Sequence, residues 1–387
     1  MFSFGKRNTG VPALIADIES GSVAVGIAVV GKEKIADVFF SERATLPIAE
    51  RTQEQIAAAL PNVLAEATAR VVKKYAASEY AKDLGPVMSV YCVVGAPWVR
   101  SRTAKAVLRF PEPRAISEQM VKELGKQALR EPSDLDKERV FETNVSRVQL
   151  NGYKTAKPAG KHANEIVVTV FESDIETPIR SVLEHALGKE FPGRAINIRS
   201  HTRAMLTVLH ERTDVEHYTL VTMGSHATSC IVVHKEELAE HAIISEGTAT
   251  ILARAAGEHG LPEETLSLMR MLVSDTCATP ACEELKAGIA KIEPELVKVF
   301  AEAFGKLAAT RRLPNTCFVS VHTDVAPWLE HFLARIDFSP FTITMQPFAV
   351  ESLTPEHVRE LVSWHAGAHE DSGLALAAAF VNMGEIS

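Results

Sequence analysis

Several features are scarce or missing in this sequence, and each absence closes a class. Cysteine is rare: five in 387 residues, at Cys92, Cys230, Cys277, Cys282 and Cys317. An odd, scattered set is no disulfide framework and reads as reduced thiols. Long apolar runs are absent. The longest, Leu374 to Val381, is far short of the roughly 18 residues a spanning helix needs. Met1-Phe2-Ser3-Phe4-Gly5-Lys6-Arg7 lacks the apolar core of a signal peptide, so a soluble, cytoplasmic protein is expected. Basic charge is not in excess: 41 Lys and Arg face 49 Asp and Glu, a net charge of −8. That argues against a general nucleic-acid binder, whose phosphate contacts need clustered cations. There is no G-x-x-x-x-G-K-[ST], no G-x-S-x-G, and His210-Glu211 followed by His217 does not make H-E-x-x-H. P-loop NTPases, nucleophile-elbow hydrolases and zinc proteases are thereby set aside.

What is present is ordinary globular material, 46% hydrophobic and 23% charged, long enough for about two to three domains. Ala13 to Ile18, Val23 to Val30 and Ile35 to Phe40 are apolar runs. They are separated by the turn signals Ser20-Gly21-Ser22 and Gly31-Lys32-Glu33-Lys34. Together they predict an antiparallel meander. A helix is expected from about Thr52 to Tyr80, its apolar face made by Ile56, Leu60, Val63, Leu64, Ala67 and Val71, with Pro61 kinking or splitting it. Val87 to Val94 reads as a buried strand.

The order then returns. Tyr218 to Met223, Thr228 to Val233 and Leu238 to Ile244 alternate with turns at Gly224-Ser225-His226 and His234 to Glu237, and a helix begins near Gly247. Ile27 to Asp37 aligns with Ile231 to Glu240 once a one-residue gap is allowed at the turn. The offset of about 205 residues is too long for a solenoid and fits two similar domains. Between them, Ile116, Met120, Val121, Leu124 and Leu129 share a helical face behind a capping Ser117, and Val140 to Leu150 and Asn164 to Phe171 read as strands. This predicts a small α+β insertion. Helices follow over Ile175 to Leu187 and Arg203 to His210, flanking a short strand at Ile196 to Ile198. Further helices are expected at Thr248 to Glu258, Pro262 to Val273, Pro280 to Thr310, from about Ala326, and over Gly373 to Met383, with a strand at Thr316 to Val321.

Two smaller features favour bland readings. Cys277 and Cys282 space two thiols for half a metal site, but no second pair exists. His365 and His369 sit at helical spacing beside Glu370 without an identifiable third ligand, as expected of a solvent-facing helix end.

Asp17-Ile18-Glu19-Ser20-Gly21-Ser22-Val23 resembles the first phosphate motif of the actin-like ATPase superfamily, D-I-G-[ST]-x-[ST]-[VT]. Leu220 to Thr228 stands where that superfamily has L-V-D-I-G-x-G-T-[TS]. Phe318 to Asp324 stands where it has its adenosine motif, a strand followed by [ST]-G-G-x-[AS]. Within the superfamily the chain resembles the FtsA and PilM group. Leu150-Asn151-Gly152 through Pro158-Ala159-Gly160 resembles that group's insertion, and Ser372-Gly373-Leu374-Ala375-Leu376 its closing segment. The resemblance implies an α/β, actin-like (ribonuclease H-like) fold of duplicated domains around a cleft, with a small inserted α+β (SHS2-like) domain. Residues 1–110, completed by 173–215, would form the first half, 111–172 the insertion, and 216–387 the second half, with a mostly helical part over about 247–312.

The resemblance further implies ATP and Mg²⁺ in the cleft. Asp17, Ser20, Gly21 and Ser22 would serve from the first turn, Gly224, Ser225, His226 and Thr228 from the second, and His322 and Thr323 at the base site. Asp17 would be the metal carboxylate. A turn-capping role for Asp17 stands beside that one. The pattern is eroded. Thr222 occupies the position of the second carboxylate, Glu19 that of the first glycine, and His322 and Thr323 those of the adenosine glycines. Weak or lost ATP binding and no catalytic residue are therefore expected. The group's biology implies a cytoplasmic scaffold of type IV pilus or secretion machinery, peripheral to the inner face of the cytoplasmic membrane. It would dock on the cytoplasmic tail of an inner-membrane assembly protein and touch the membrane only indirectly. Self-association is left open, and no nucleic acid is implied. The chain ends soon after the closing helix without the basic amphipathic anchor of FtsA-type proteins, which makes a membrane-tethered division protein the alternative and an active ATPase or phosphotransferase the third reading.

Overall fold

A computed structural model describes residues 10–31, 35–46, 52–257, 262–273, 276–321 and 324–384. The chain opens with β1 (Val11–Glu19), β2 (Ser22–Val30) and β3 (Ala36–Thr45), then α1 (Gln53–Ala76), α2 (Glu79–Leu84) and β4 (Ser89–Val94). The insertion comprises β5 (Val99–Ala115), α3 (Glu118–Ala128), β6 (Val140–Leu150), β7 (Tyr153–Lys154) and β8 (His162–Ile175). Next come α4 (Thr177–Glu190), β9 (Ile196–Ser200) and α5 (His201–Arg212). The second half holds β10 (His217–Met223), β11 (Thr228–His234), β12 (Glu237–Ile244), α6 (Thr248–Ala256), α7 (Pro262–Val273) and α8 (Pro280–Leu307). It continues through β13 (Thr316–Val321), α9 (Ala326–Arg335) and β14 (Ala349–Ser352). The chain closes with β15 (Val362–Trp364) and α10 (Ser372–Gly384).

The described residues form three sheets. The first runs β15-β3-β2-β1-β4-β9, the second β12-β11-β10-β13-β14, and the insertion's β5-β8-β6-β7. The core orders β3-β2-β1-β4-β9 and β12-β11-β10-β13-β14 are the same topology used twice, as the internal repeat predicts. β1 is covered on both faces and so reads as a continuous apolar run. Leu14, Ala16 and Ile18 pack towards α1 and α4, whereas Ala13 and Ile15 pack towards α5 and α10. Helix α1 starts at a capping box, with Gln55 N donating to Thr52 Oγ1 at 3.3 Å and Thr52 N to Gln55 Oε1 at 3.0 Å. It buries Ile56, Leu60, Leu64, Ala67, Val71 and Tyr75. That stripe holds α1 as one helix through Pro61, which neither ends nor splits it.

Several expectations need correction. The insertion is longer at both ends: β5 starts at Val99 and β8 runs to Ile175, because these strands pair from Val99 opposite Ile175 to Ala115 opposite His162, with one interruption between Arg109 and Arg114. Between the two expected strands lies β7, hairpin-paired to β6. The last segment does not stay with the second half. β15 pairs parallel with β3, and α10 packs on β1, β2, β3 and α5. Cys277 and Cys282 form a disulfide rather than a pair of reduced thiols. His365 and His369 lie outside any helix, and the His365 ring stacks on Phe39 with centroids 3.9 Å apart. The first seven residues and the turn at 32–34 lie outside the described residues.

The insertion is fastened to both halves. Towards the first sheet, the buried Glu142 of β6 accepts from Ser200 N (3.1 Å), Ser200 Oγ (2.8 Å) and Arg203 Nη1 (2.7 Å). Towards the second, Arg147 pairs with Glu236 (3.0 Å) and Glu237 (3.4 Å), and Lys105 with Glu237 (2.6 Å). Thr103 Oγ1 donates to Leu238 O at 2.5 Å. His241 Nδ1 lies 3.1 Å from Ser101 N and 3.3 Å from Ser101 O, and its Nε2 lies 3.0 Å from Ser229 Oγ. Burial lowers the His241 pKa to about 4, keeping the ring neutral and able to accept.

Candidate functional site

Each half places a tight turn at the end of its first hairpin, and the two turns meet. The β1–β2 turn carries Ser20 and Gly21; the β10–β11 turn carries Gly224, Ser225 and His226. Buried Ser20 Oγ accepts from His226 N at 3.0 Å. A Cβ on Gly21 would lie 2.1 Å from Ser225 Oγ, so only glycine lets the turns approach this closely. The second turn is in turn held from behind. Gly224 O and Ser225 O accept from Thr248 N (2.9 Å) and Ala249 N (2.8 Å) at the start of α6. A Cβ on Gly247 would meet both carbonyl oxygens at 2.5 Å. Thr228 Oγ1 is spent on Glu246 O at 2.6 Å. The amide face of α6 thus serves its own turn rather than an incoming anion.

Between the turns, a cavity of about 30 Å³ is bordered by Glu19, Gly95, His201, Thr222, Gly224 and Ser229. That admits a water or two, whereas ligand pockets span roughly 300–1,000 Å³. Burial lowers the His201 pKa to about 4, so the cavity wall has a neutral imidazole there. Thr222 is half-buried at its edge and supplies no charge.

Asp17 and Ser22 do not face the opposing turn. Asp17 is fully buried, and its Oδ2 accepts from Arg43 Nη2 of β3 at 3.1 Å. Arg43 Nη1 donates to Ser22 Oγ at 2.5 Å. Its Nε and Nη2 grip Asp371 at 2.5 and 2.8 Å. Asp371 also caps α10, accepting from Leu374 N at 2.8 Å. Asp17 Oδ1 has no hydrogen-bond partner among the described residues. Burial foremost, then the charge of Glu19, pushes the Asp17 carboxyl up to about 8 against the pull of Arg43. Asp371 is lowered despite its burial, through the Arg43 hydrogen bonds and charge. Burial thus favours the neutral form of Asp17, while the Arg43 contacts favour the ionised form of Asp371.

The structure brings Ser20, Gly21, Gly224, Ser225 and His226 together at one contact. It moves Asp17 and Ser22 into a separate network and turns Thr228 away. His322 and Thr323 lie outside the described residues. Sequence reasoning missed Arg43 and Asp371. Asp371-Ser372-Gly373 ahead of an apolar helix is a capping pattern that could have marked Asp371. Nothing local marks Arg43, whose partner is 328 residues away.

No protein-family model matches the chain, and no curated protein sequence matches it. Among solved structures it is similar to the PilM-PilN type IV pilus biogenesis complex, at 13% identity over 96% of each chain with a TM-score of 0.57. An actin-like ATPase-fold protein of unknown function from Bacteroides thetaiotaomicron is 9% identical over 97% of this chain and 98% of that one, with a TM-score of 0.38. The ethanolamine utilization protein EutJ from Carboxydothermus hydrogenoformans is 11% identical over 98% and 92%, with a TM-score of 0.44. No helix among the described residues is long and apolar enough to cross a membrane. The twice-used strand order around a cleft and the end-to-end likeness to the pilus protein lead to one structural conclusion: this chain has the actin-like ATPase fold.

Proposed function

We propose that the chain is a non-catalytic actin-like scaffold for type IV pilus or related secretion machinery. It would sit at the inner face of the cytoplasmic membrane, docked on the cytoplasmic tail of an inner-membrane assembly protein. ATP and Mg²⁺ binding would be weak or lost. The observation that carries this reading is the direct contact of the two turns, Ser20 to His226 and Gly21 to Ser225, where phosphates would have to enter. Thr222 in place of a carboxylate supports it, because no second acidic group faces the turn contact from β10. The insertion supports the docking role. Val107, Leu108, Val145 and Tyr153 are exposed apolar side chains on a body tied to both halves, a rigid platform rather than a swinging arm.

Two measurements test the proposal. Purified protein mixed with anionic liposomes should stay in the supernatant, and should pellet only when the vesicles carry a membrane protein whose tail it binds. Pelleting on bare liposomes would replace the scaffold reading with a self-anchored, division-type protein. A thermal-shift titration with ATP and Mg²⁺ to millimolar concentration should show no change. A ligand at about 100 times its Kd would add roughly 2.7 kcal/mol, so a clear shift would refute the closed-cleft part.

A further inference from the structure

We infer that Arg43 is a built-in cation that takes the place of a divalent metal beside Asp17. This deepens the reading of a cleft closed to nucleotide and rests on it. The β1–β2 hairpin and the distant start of α10 converge on the guanidinium: Asp17 near the end of β1, Ser22 at the start of β2, and Asp371 at the cap of α10. Their oxygens lie 3.1, 2.5 and 2.8 Å from its nitrogens. This is an oxygen cage with two carboxylates and a hydroxyl, the donor set a hard cation takes. A fork with five N–H groups and a permanent charge fills it instead.

A hydrated Mg²⁺ does not fit alongside. It demands six oxygens at about 2.0–2.1 Å and keeps most of its waters. The α10 backbone lies directly on the carboxylate: a Cβ on Gly373 would sit 2.2 Å from Asp17 Oδ2 and 3.0 Å from Arg43 Nη2. Glycine at 373 is what allows the helix start to close over the pair. The cation is fixed to β3, so the cage is neutralised without a ligand, and the first turn keeps its shape without one.

The proposal predicts a substitution that metal can repair. Wild-type protein should bind no Mn²⁺ through Asp17, read by the loss of free Mn²⁺ electron-spin resonance, and its Tm should not move with about 10 mM MgCl₂. Arg43→Ala empties the cage and leaves the buried Asp17 carboxyl beside the half-buried Asp371 carboxylate. Its Tm should drop in chelator and recover by several degrees with Mg²⁺ or Mn²⁺, with Mn²⁺ now bound. Arg43→Lys keeps the charge and should stay insensitive to metal. Adding Asp17→Asn to Arg43→Ala should abolish the Mn²⁺ signal. If Arg43→Ala is unfolded in chelator, folding on addition of MnCl₂ supports the proposal, and failure to fold in both conditions overturns it. A folded Arg43→Ala protein indifferent to metal also overturns it. So does Mn²⁺ binding by the wild type that Asp17→Asn removes, a result that needs no unstable variant. None of these readouts involves the membrane partner, so the scaffold reading stands or falls separately.

Discussion

Arg43 is the residue on which the first turn depends. Its side chain is partly covered, and its partner Asp17 is fully buried. Removing one member of a buried charge network leaves the others uncompensated, so Arg43→Ala should cost about 3 kcal/mol in chelator, measured by urea unfolding. Asp17→Asn should behave differently. The native carboxyl titrates near 8 and the unfolded one near 3.8. Between those values the native state holds a proton that the unfolded state releases, so this group's contribution falls as pH rises. Asp17→Asn should therefore flatten the alkaline loss of stability between about pH 6 and 8, seen as Tm against pH. Thr222→Asp should yield no ATPase turnover in a phosphate-release assay, because restoring one carboxylate does not separate Gly21 from Ser225. At this scale the sequence was half legible. The turn residues that meet were identified from their motif positions. Arg43 and Asp371, which form the network around Asp17, were not, because their contacts reach across nearly the whole chain.

Among the elements, legibility followed burial. β1, β2, β4, β10, β11 and β13 are mostly buried and show as predominantly apolar runs. β5 was missed in part because its outer portion is exposed and carries Pro111 and Pro113, so it shows neither a clean run nor strict alternation. β14 and β15 are too short to carry a pattern; pairing with β13 and β3 creates them. Pro61 was expected to kink or split α1; six buried side chains on one stripe keep it one helix despite one lost hydrogen bond. The insertion's clasp on β12 gives a testable pH response. His241 has a folded pKa of about 4 and an ordinary value of 6.5. The unfolded chain takes up a proton in that window and the folded chain does not. Stability from this group is complete above about pH 6.5 and is lost as pH falls towards 4, by at most about 1.4 kcal/mol per pH unit. His241→Gln should reduce the slope of stability against pH by about one proton between pH 4.5 and 6, read from urea midpoints. His201 acts in the same direction and is unchanged in that comparison.

At the scale of the molecule, the duplicated architecture was legible from repeated strand–turn patterns, whereas the allocation of the last segment was not. Sequence order assigns residues 362–384 to the second half; packing assigns them to the first. Leu374, Ala377, Phe380 and Val381 are all at most 1% exposed. They share a core with Ala13, Ile15 and Met205. Truncation after Asp371 should therefore damage the half that is farthest away in sequence. The amides of β1–β3 should lose hydrogen-exchange protection, while those of α8 and β13 keep theirs.

That return of the chain also sets a schedule. A ribosome that has finished β9 must add well over a hundred residues before α10 exists, which at about 5–20 residues per second takes roughly ten to forty seconds. Throughout that interval the first sheet has one face without its closing helix, and the β3 edge lacks β15. The nascent first half thus keeps an apolar face and a strand edge uncovered until the final helix is made.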